Sequence, residues 1–215
     1  MMNINYRLKQ KFTNIADAIR AGLSSTELMT VDEMPPNIED ITTQDNAIID
    51  TLLNGTATTY ENNRITFLRA SGLRGYENLQ TAIFGNLTDA GNAAFQGCSN
   101  LTDLIIPKFE TFRVSVLQAC TSLQRVNAPK ATTVQSYAFS GATNLEILNF
   151  YDPNRTSIPR VTSSAGVLLN TKIAAGTGYI IINDELVEDM KVAFFWSDYA
   201  DQIIGNTEAA ELGIL

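Results

Sequence analysis

The sequence contains no histidine. That absence removes Ser-His and Cys-His nucleophile pairs and most zinc sites together, because imidazole is the base in the first two and a common ligand in the last. Cysteine occurs twice, at Cys98 and Cys120, which is too few for a metal site. Charge is scarce at 18% of residues, with a net −8. An acidic balance without a clustered positive stripe argues against nucleic acid and against an electrostatic membrane anchor. No uninterrupted apolar run reaches the ~18 residues that span a bilayer. The opening MMNINYRLKQ has no apolar core of a signal peptide, so a product made and kept in the cytoplasm is expected unless another route releases it. What is present is a 215-residue chain, 45% hydrophobic, able to bury a sizeable core.

The positive signal is a repeat of 22 residues. The segments LRGYENLQTAIFGN from Leu73, FQGCSNLTDLIIPK from Phe95, LQACTSLQRVNAPK from Leu117 and FSGATNLEILNFYD from Phe139 align without gaps. Leu79, Leu101, Leu123 and Leu145 share one column, and Ala82, Leu104, Val126 and Leu148 another. A fixed period of this length marks a solenoid in which each copy is one rung.

Leu104 and Ile106 alternate with Asp103 and Ile105, so this part of a rung reads as a short strand with 104 and 106 inward. Pro107 ends it, since proline cannot donate to a ladder. Phe109 and Phe112, matched by Leu87 and Ala90 before and Ala131 and Val134 after, form a second apolar pair. Val116 and Leu117 form a third. One rung cannot bury these groups alone; each column meets its own copy about 4.8 Å above and below. Cys98 and Cys120 fall in one such column with Tyr76 and Ala142. That column reads as a packing position holding buried thiols, and adjacency also brings the pair near disulfide range.

Two columns point outward: Thr81, Asp103, Arg125 and Ile147, then Ile83, Ile105, Asn127 and Asn149. They are the candidate binding face, with a solvated sheet surface as the plainer reading. Asp103 beside Arg125 is expected to form a cross-strand charge pair.

The flanks differ in character. Leu8, Phe12, Ile15 and Ile19 form a narrow stripe on a predicted helix over 5–21, suited to packing on the next helix or on copies of itself. Thr30-Val31-Asp32-Glu33 is a capping-box pattern for a second helix, and a third is expected over 43–53. Thr56 to Tyr60 reads as extended, leading through an Asn62-Asn63 turn to Ile65–Leu68; this section is expected to cap the first rung. Beyond Tyr151 the period fails. Asp152-Pro153-Asn154 is a turn, Val167-Leu168-Leu169 falls where a degenerate fifth rung belongs, and Tyr179–Ile182 is a strong strand. Asn183 or Asp184 is expected to cap a helix carrying Leu186, Val187 and Met190. Ser197 is expected to cap a last helix carrying Tyr199, Ile203 and Ile204. Phe194, Phe195 and Trp196 read as a lid over the last rung. Asp184, Glu185, Glu188 and Asp189 suit a helix start electrostatically, with weak Ca²⁺ binding as the alternative.

Phe95-Gln96-Gly97-Cys98-Ser99-Asn100-Leu101, with Leu104, Ile106 and Pro107, resembles the BspA type of leucine-rich repeat. The copy from Leu117 departs from that pattern at two positions, and the copy from Phe139 lacks its Cys and Pro. The expected fold is therefore α+β: a short leucine-rich-repeat solenoid of about four to five 22-residue rungs over 58–170. An N-terminal helical module and cap (1–57) and a C-terminal helical and aromatic cap (171–215) flank it. Ile15-Ala16-Asp17-Ala18-Ile19-Arg20, Thr30–Met34, Ile48-Ile49-Asp50, Gly55-Thr56, Thr59–Asn62, Gly176–Ile180, Leu186-Val187 and Trp196–Ile203 resemble the flanking modules of bacteriophage and prophage structural proteins. Ile182-Asn183 stands where that group has Val-Pro. The resemblance implies a non-enzymatic virion component of a tail, baseplate or fibre, presenting its repeats for host attachment or protein contact. Its implied partners are other virion proteins, a host-surface glycan or protein, and further copies of itself, as in a trimer. No nucleic acid, membrane, cofactor, metal or catalytic set is implied. A bacterial surface adhesin with the same repeats is the alternative, and it calls for a signal peptide and an anchor. A glycan depolymerase calls for paired carboxylates in a groove, and no such pair stands out.

Overall fold

A computed structural model describes residues 59–215 except Arg64. The chain divides into two compact units, Met1–Asn54 and Gly55–Leu215, and the described residues belong to the second. The three helices expected before residue 54 lie outside them.

Two parallel sheets run along the repeat. The larger has seven strands in the order β1 (Thr59–Glu61), β3 (Thr81–Ile83), β5 (Asp103–Ile105), β7 (Arg125–Asn127), β9 (Ile147–Asn149), β11 (Tyr179–Ile182) and β12 (Ile203–Gly205). The smaller has five two-residue strands: β2 (Phe67–Leu68), β4 (Asp89–Ala90), β6 (Thr111–Phe112), β8 (Thr133–Val134) and β10 (Arg160–Val161). The register is the sequence period itself: Tyr60, Ala82, Leu104, Val126 and Leu148 stack as direct neighbours. The 22-residue spacing thus begins at β1, inside the segment expected to cap the first rung and within the 58–170 span expected for the solenoid. Ile180 and Ile203 continue the column at spacings of 32 and 23. The sheet accordingly runs beyond the four to five rungs the period predicts, and the segment 171–215 adds β11 and β12 to it.

Each inward column is closed. Leu79, Leu101, Leu123 and Leu145 are buried, as are Phe84, Ile106, Ala128 and Phe150. The smaller sheet contributes Leu68, Ala90, Phe112, Val134 and Val161. Its strands are too short for a period-of-two signal, so the sequence shows the apolar pairs without showing a sheet. A third line of backbone bonds links the rungs through Leu73 N to Ala94 O, Phe95 N to Val116 O, Leu117 N to Ala138 O and Phe139 N to Val167 O. Aromatic rings bridge neighbouring rungs: Phe112 meets Phe139 at 4.8 Å between centroids and Phe150 at 6.4 Å. Cys98 and Cys120 are buried, unbridged thiols that donate to Leu73 O and Phe95 O. The adjacent Cys98 sulfur and burial push the Cys120 thiol well above its usual pKa.

The chain turns between the sheets through left-handed residues that also recur every 22 positions. Ser71, Ala93, Ser115 and Tyr137 have φ of 56–57°. Gly75, Gly97 and Gly141 have φ of 73–74°, and Ala119, in the same column, has φ 60°. Glycine adopts this conformation without the Cβ clash that alanine meets.

Past Phe150 the extra residues bulge outward and are tied back. Arg155 donates from Nε to Phe150 O at 2.8 Å, and from Nη2 to Pro129 O and Ala131 O at 2.6 and 2.7 Å. Asp152 is buried, ion-paired with Lys130, and accepts the Asn154 amide at 3.0 Å. Asn183 Nδ2 donates to Asp152 O at 2.7 Å, bonding the bulge to β11's end. The asparagine at this helix start therefore clasps another segment and makes no side-chain cap.

The C-terminal end is built from a 3-10 helix (Asp184–Leu186), α1 (Val187–Val192), a second 3-10 helix (Trp196–Gln202), β12 and α2 (Asn206–Glu211). Leu186 and Met190 face the core. Trp196 is the lid expected: it meets Phe150 edge to face at 6.0 Å between centroids and donates Nε1–H to Pro159 O at 2.6 Å. Phe195 is buried beside it, while Phe194 turns out. Ile203 and Ile204 do not continue a helix from Ser197. They form β12, with Ile203 in the core column and Ile204 on the outer face under α2. A strand covered on both faces shows the same unbroken apolar run as a buried helix, which is why the sequence misleads here. Asp184 accepts both the amide and the hydroxyl of Thr207, and Asn206 Oδ1 accepts the Asp184 amide at 3.0 Å. Adjacent turns thereby cap one another.

Gly97→Ala is expected to lower unfolding free energy by about 1 kcal/mol through its left-handed φ alone; the nearest atom an added Cβ would meet is 3.8 Å away. Ala119→Gly, in the same column, is expected to leave stability within about 0.5 kcal/mol, because relieved strain offsets added chain entropy. Urea titration of the two variants reads both. Lys130 first, then the Asn154 amide, hold the Asp152 carboxyl below its ordinary 3.8. A depressed carboxylate stabilises the fold above its unfolded pKa and loses that contribution as pH falls through the folded value. Asp152→Asn should therefore be less stable than the parent at pH 7, with the gap shrinking as pH drops below 3.8. A urea midpoint series from pH 7 to about 2.5 measures it.

Candidate contact face

Strands of three residues with one inward side chain leave two outward side chains per rung, and exact register lines these up. Thr81, Asp103 and Arg125 form one outward line and Ile83, Ile105 and Asn127 the other, all half-buried. Thr59 and Glu61 extend both lines by one rung and are exposed. The expected face, which begins at Thr81 and Ile83, leaves them out.

Ile147 and Asn149 continue these lines in register but are buried, which removes them from the accessible face. Ile147 packs with Ile181, Ile204 and Ala209 of α2, and Tyr151, Tyr179 and Ile214 close the cluster. Arg125 Nη1 donates to Ile214 O at 3.0 Å. Among the described residues, no ion pair joins Arg125 to Asp103; the guanidinium serves the C-terminal segment instead. Asn149 donates to Asn127 Oδ1 at 3.1 Å and accepts the Tyr151 amide at 2.9 Å, forming a short amide ladder. The larger sheet thus has a covered end, β9 to β12, and a half-open stretch, β1 to β7. The sign of cover in the sequence is that Ile147 on one outward line, and Ile181 and Ile204 on the other, are all apolar.

The acidic run divides between structural roles. Asp184 is engaged at α2, and Glu188 pairs with Lys191 at 3.5 Å. Among the described residues, no group of three or more Cys, Asp or Glu side chains is arranged to hold a metal ion, and no helix is long and apolar enough to cross a membrane.

Residues 56–162 match, in six copies, the family described as BspA type leucine rich repeat region. No curated protein matches the chain. Among solved structures, it is similar to a leucine rich cell surface protein from Faecalibacterium prausnitzii, at 18% identity and a TM-score of 0.46. That similarity covers 59% of this chain and 31% of the other.

The division of the face predicts unequal tolerance. Ile147→Glu buries a charge under α2 and should cost about 3–5 kcal/mol. Ile105→Glu, on the neighbouring outward line two rungs away, should cost under about 1 kcal/mol. Chemical denaturation of the two variants tests the assignment.

Proposed function

Starting from a repeat region of the BspA leucine-rich type, we propose that this chain is a non-enzymatic presentation module whose half-open sheet face makes protein contacts. The observation that carries this reading is the rigid in-register face of β1 to β7. Threonine, isoleucine, aspartate and asparagine there stand in straight lines over a closed core. Such a face offers mixed polar and apolar contacts on a scaffold that loses little entropy on binding.

The finer reading is a component of a phage particle, in a tail, baseplate or fibre, that serves attachment to a host-surface glycan or protein. Its support is the resemblance of the flanking segments, which lie largely outside residues 56–162. A bacterial surface adhesin uses the same repeats and is the second reading.

Mass spectrometry separates the two. Peptides of this chain are expected in density-purified particles induced from the source strain, at constant ratio to other virion proteins. Recovery in the washed cell-envelope fraction, with none in the particles, would sink the phage reading and favour the adhesin.

A further inference from the structure

The solenoid's C-terminal end has a chemistry of its own, separate from the sheet face. Residues 184–215 carry eight aspartates and glutamates against one lysine, Lys191. That segment therefore holds −7 of the chain's −8. Within this field stand the two most exposed large apolar side chains among the described residues, Val192 at 79% and Phe194 at 69%. Both lie at the end of α1, on the outer side of the lid. Glu188 and Asp189 precede them on the helix, and Asp198 follows, all exposed. Phe194 points outward because the next residue is kinked. Phe195 has φ +70° and ψ −46°, a conformation costly for an aromatic residue, and it sends Phe195 and Trp196 inward while leaving Phe194 in solvent.

Exposed apolar side chains flanked along the chain by exposed carboxylates are complementary to a basic segment with an apolar stripe. One such segment is in this sequence. Residues 5–21 contain Arg7, Lys9, Lys11 and Arg20 against Asp17, for a net +3, with Leu8, Phe12, Ile15 and Ile19 at helical spacing. We propose that the acidic end surface around Val192 and Phe194 of one copy receives the basic stretch 5–21 of a second copy. The contact joins two different surfaces, so it closes as a two-fold pair by reciprocal exchange or continues as a ring or open chain. It does not depend on what the sheet face binds.

The test is light scattering behind size exclusion on the full-length chain at low and high salt, with Phe194→Ser, Lys9→Glu/Lys11→Glu and Asp189→Lys/Asp198→Lys variants. Circular dichroism checks that each remains folded; all of these positions are surface sites in the structure or off the predicted stripe. The parent should associate with concentration, and more weakly at high salt. Phe194→Ser and either charge reversal alone should weaken association at least tenfold. Mixing the two charge-reversed chains should restore it, since each then offers the complement of the other. A parent that stays monomeric at low salt overturns the proposal. So does association that Phe194→Ser and Asp189→Lys/Asp198→Lys leave unchanged, because the stretch 5–21 would then be pairing with itself or with another surface.

Discussion

Everything in this structure depends on like side chains stacking on their own copies. A rung of 22 residues has three apolar pairs and no interior in which to bury them alone. Repetition in register supplies the interior: Leu101 is covered by Leu79 and Leu123, and Phe112 lies between Ala90 and Val134. Strands of two or three residues are too short to be stable in isolation, and in-register neighbours hold them. The same constraint explains the recurrence of left-handed residues, because a rung that turned differently would move its inward columns out of line.

The end of the period shows how much irregularity the stack accepts. Ten additional residues separate Leu148 from Ile180 beyond the usual spacing, yet the two are direct neighbours in the sheet. The excess is moved to the outside and held by polar groups. Arg155 reaches the carbonyls of the preceding rung, and Asn183 holds the backbone of Asp152. The apolar columns continue underneath, and Trp196 closes them. The outer face is finished by a different device: α2 covers β9 to β12 and leaves β1 to β7 half-open.

The inward columns were legible in the sequence because their period is exact and their chemistry uniform. Leu104, Val126 and Leu148 lie where a gapless alignment places them. The second sheet was hidden, since Thr111-Phe112 and Thr133-Val134 are too short to show alternation. β12 was hidden because Ile203-Ile204 is apolar on both faces. The contact face was half legible. Its outward lines could be drawn, but the burial of Ile147 depends on Ala209 and Ile214, which approach from more than sixty residues away. Contacts between segments so far apart in sequence leave no local pattern.

The central claim is that one continuous column runs from Tyr60 to Ile203, through the break in the period. Residue-resolved amide hydrogen exchange tests it most directly. The account predicts that Leu104, Val126, Leu148, Ile180 and Ile203 are protected to a similar degree and lose protection together as denaturant is added. Strong protection through Leu148 with fast, denaturant-independent exchange at Ile180 and Ile203 would contradict it, and would mean that the stack ends where the 22-residue period does.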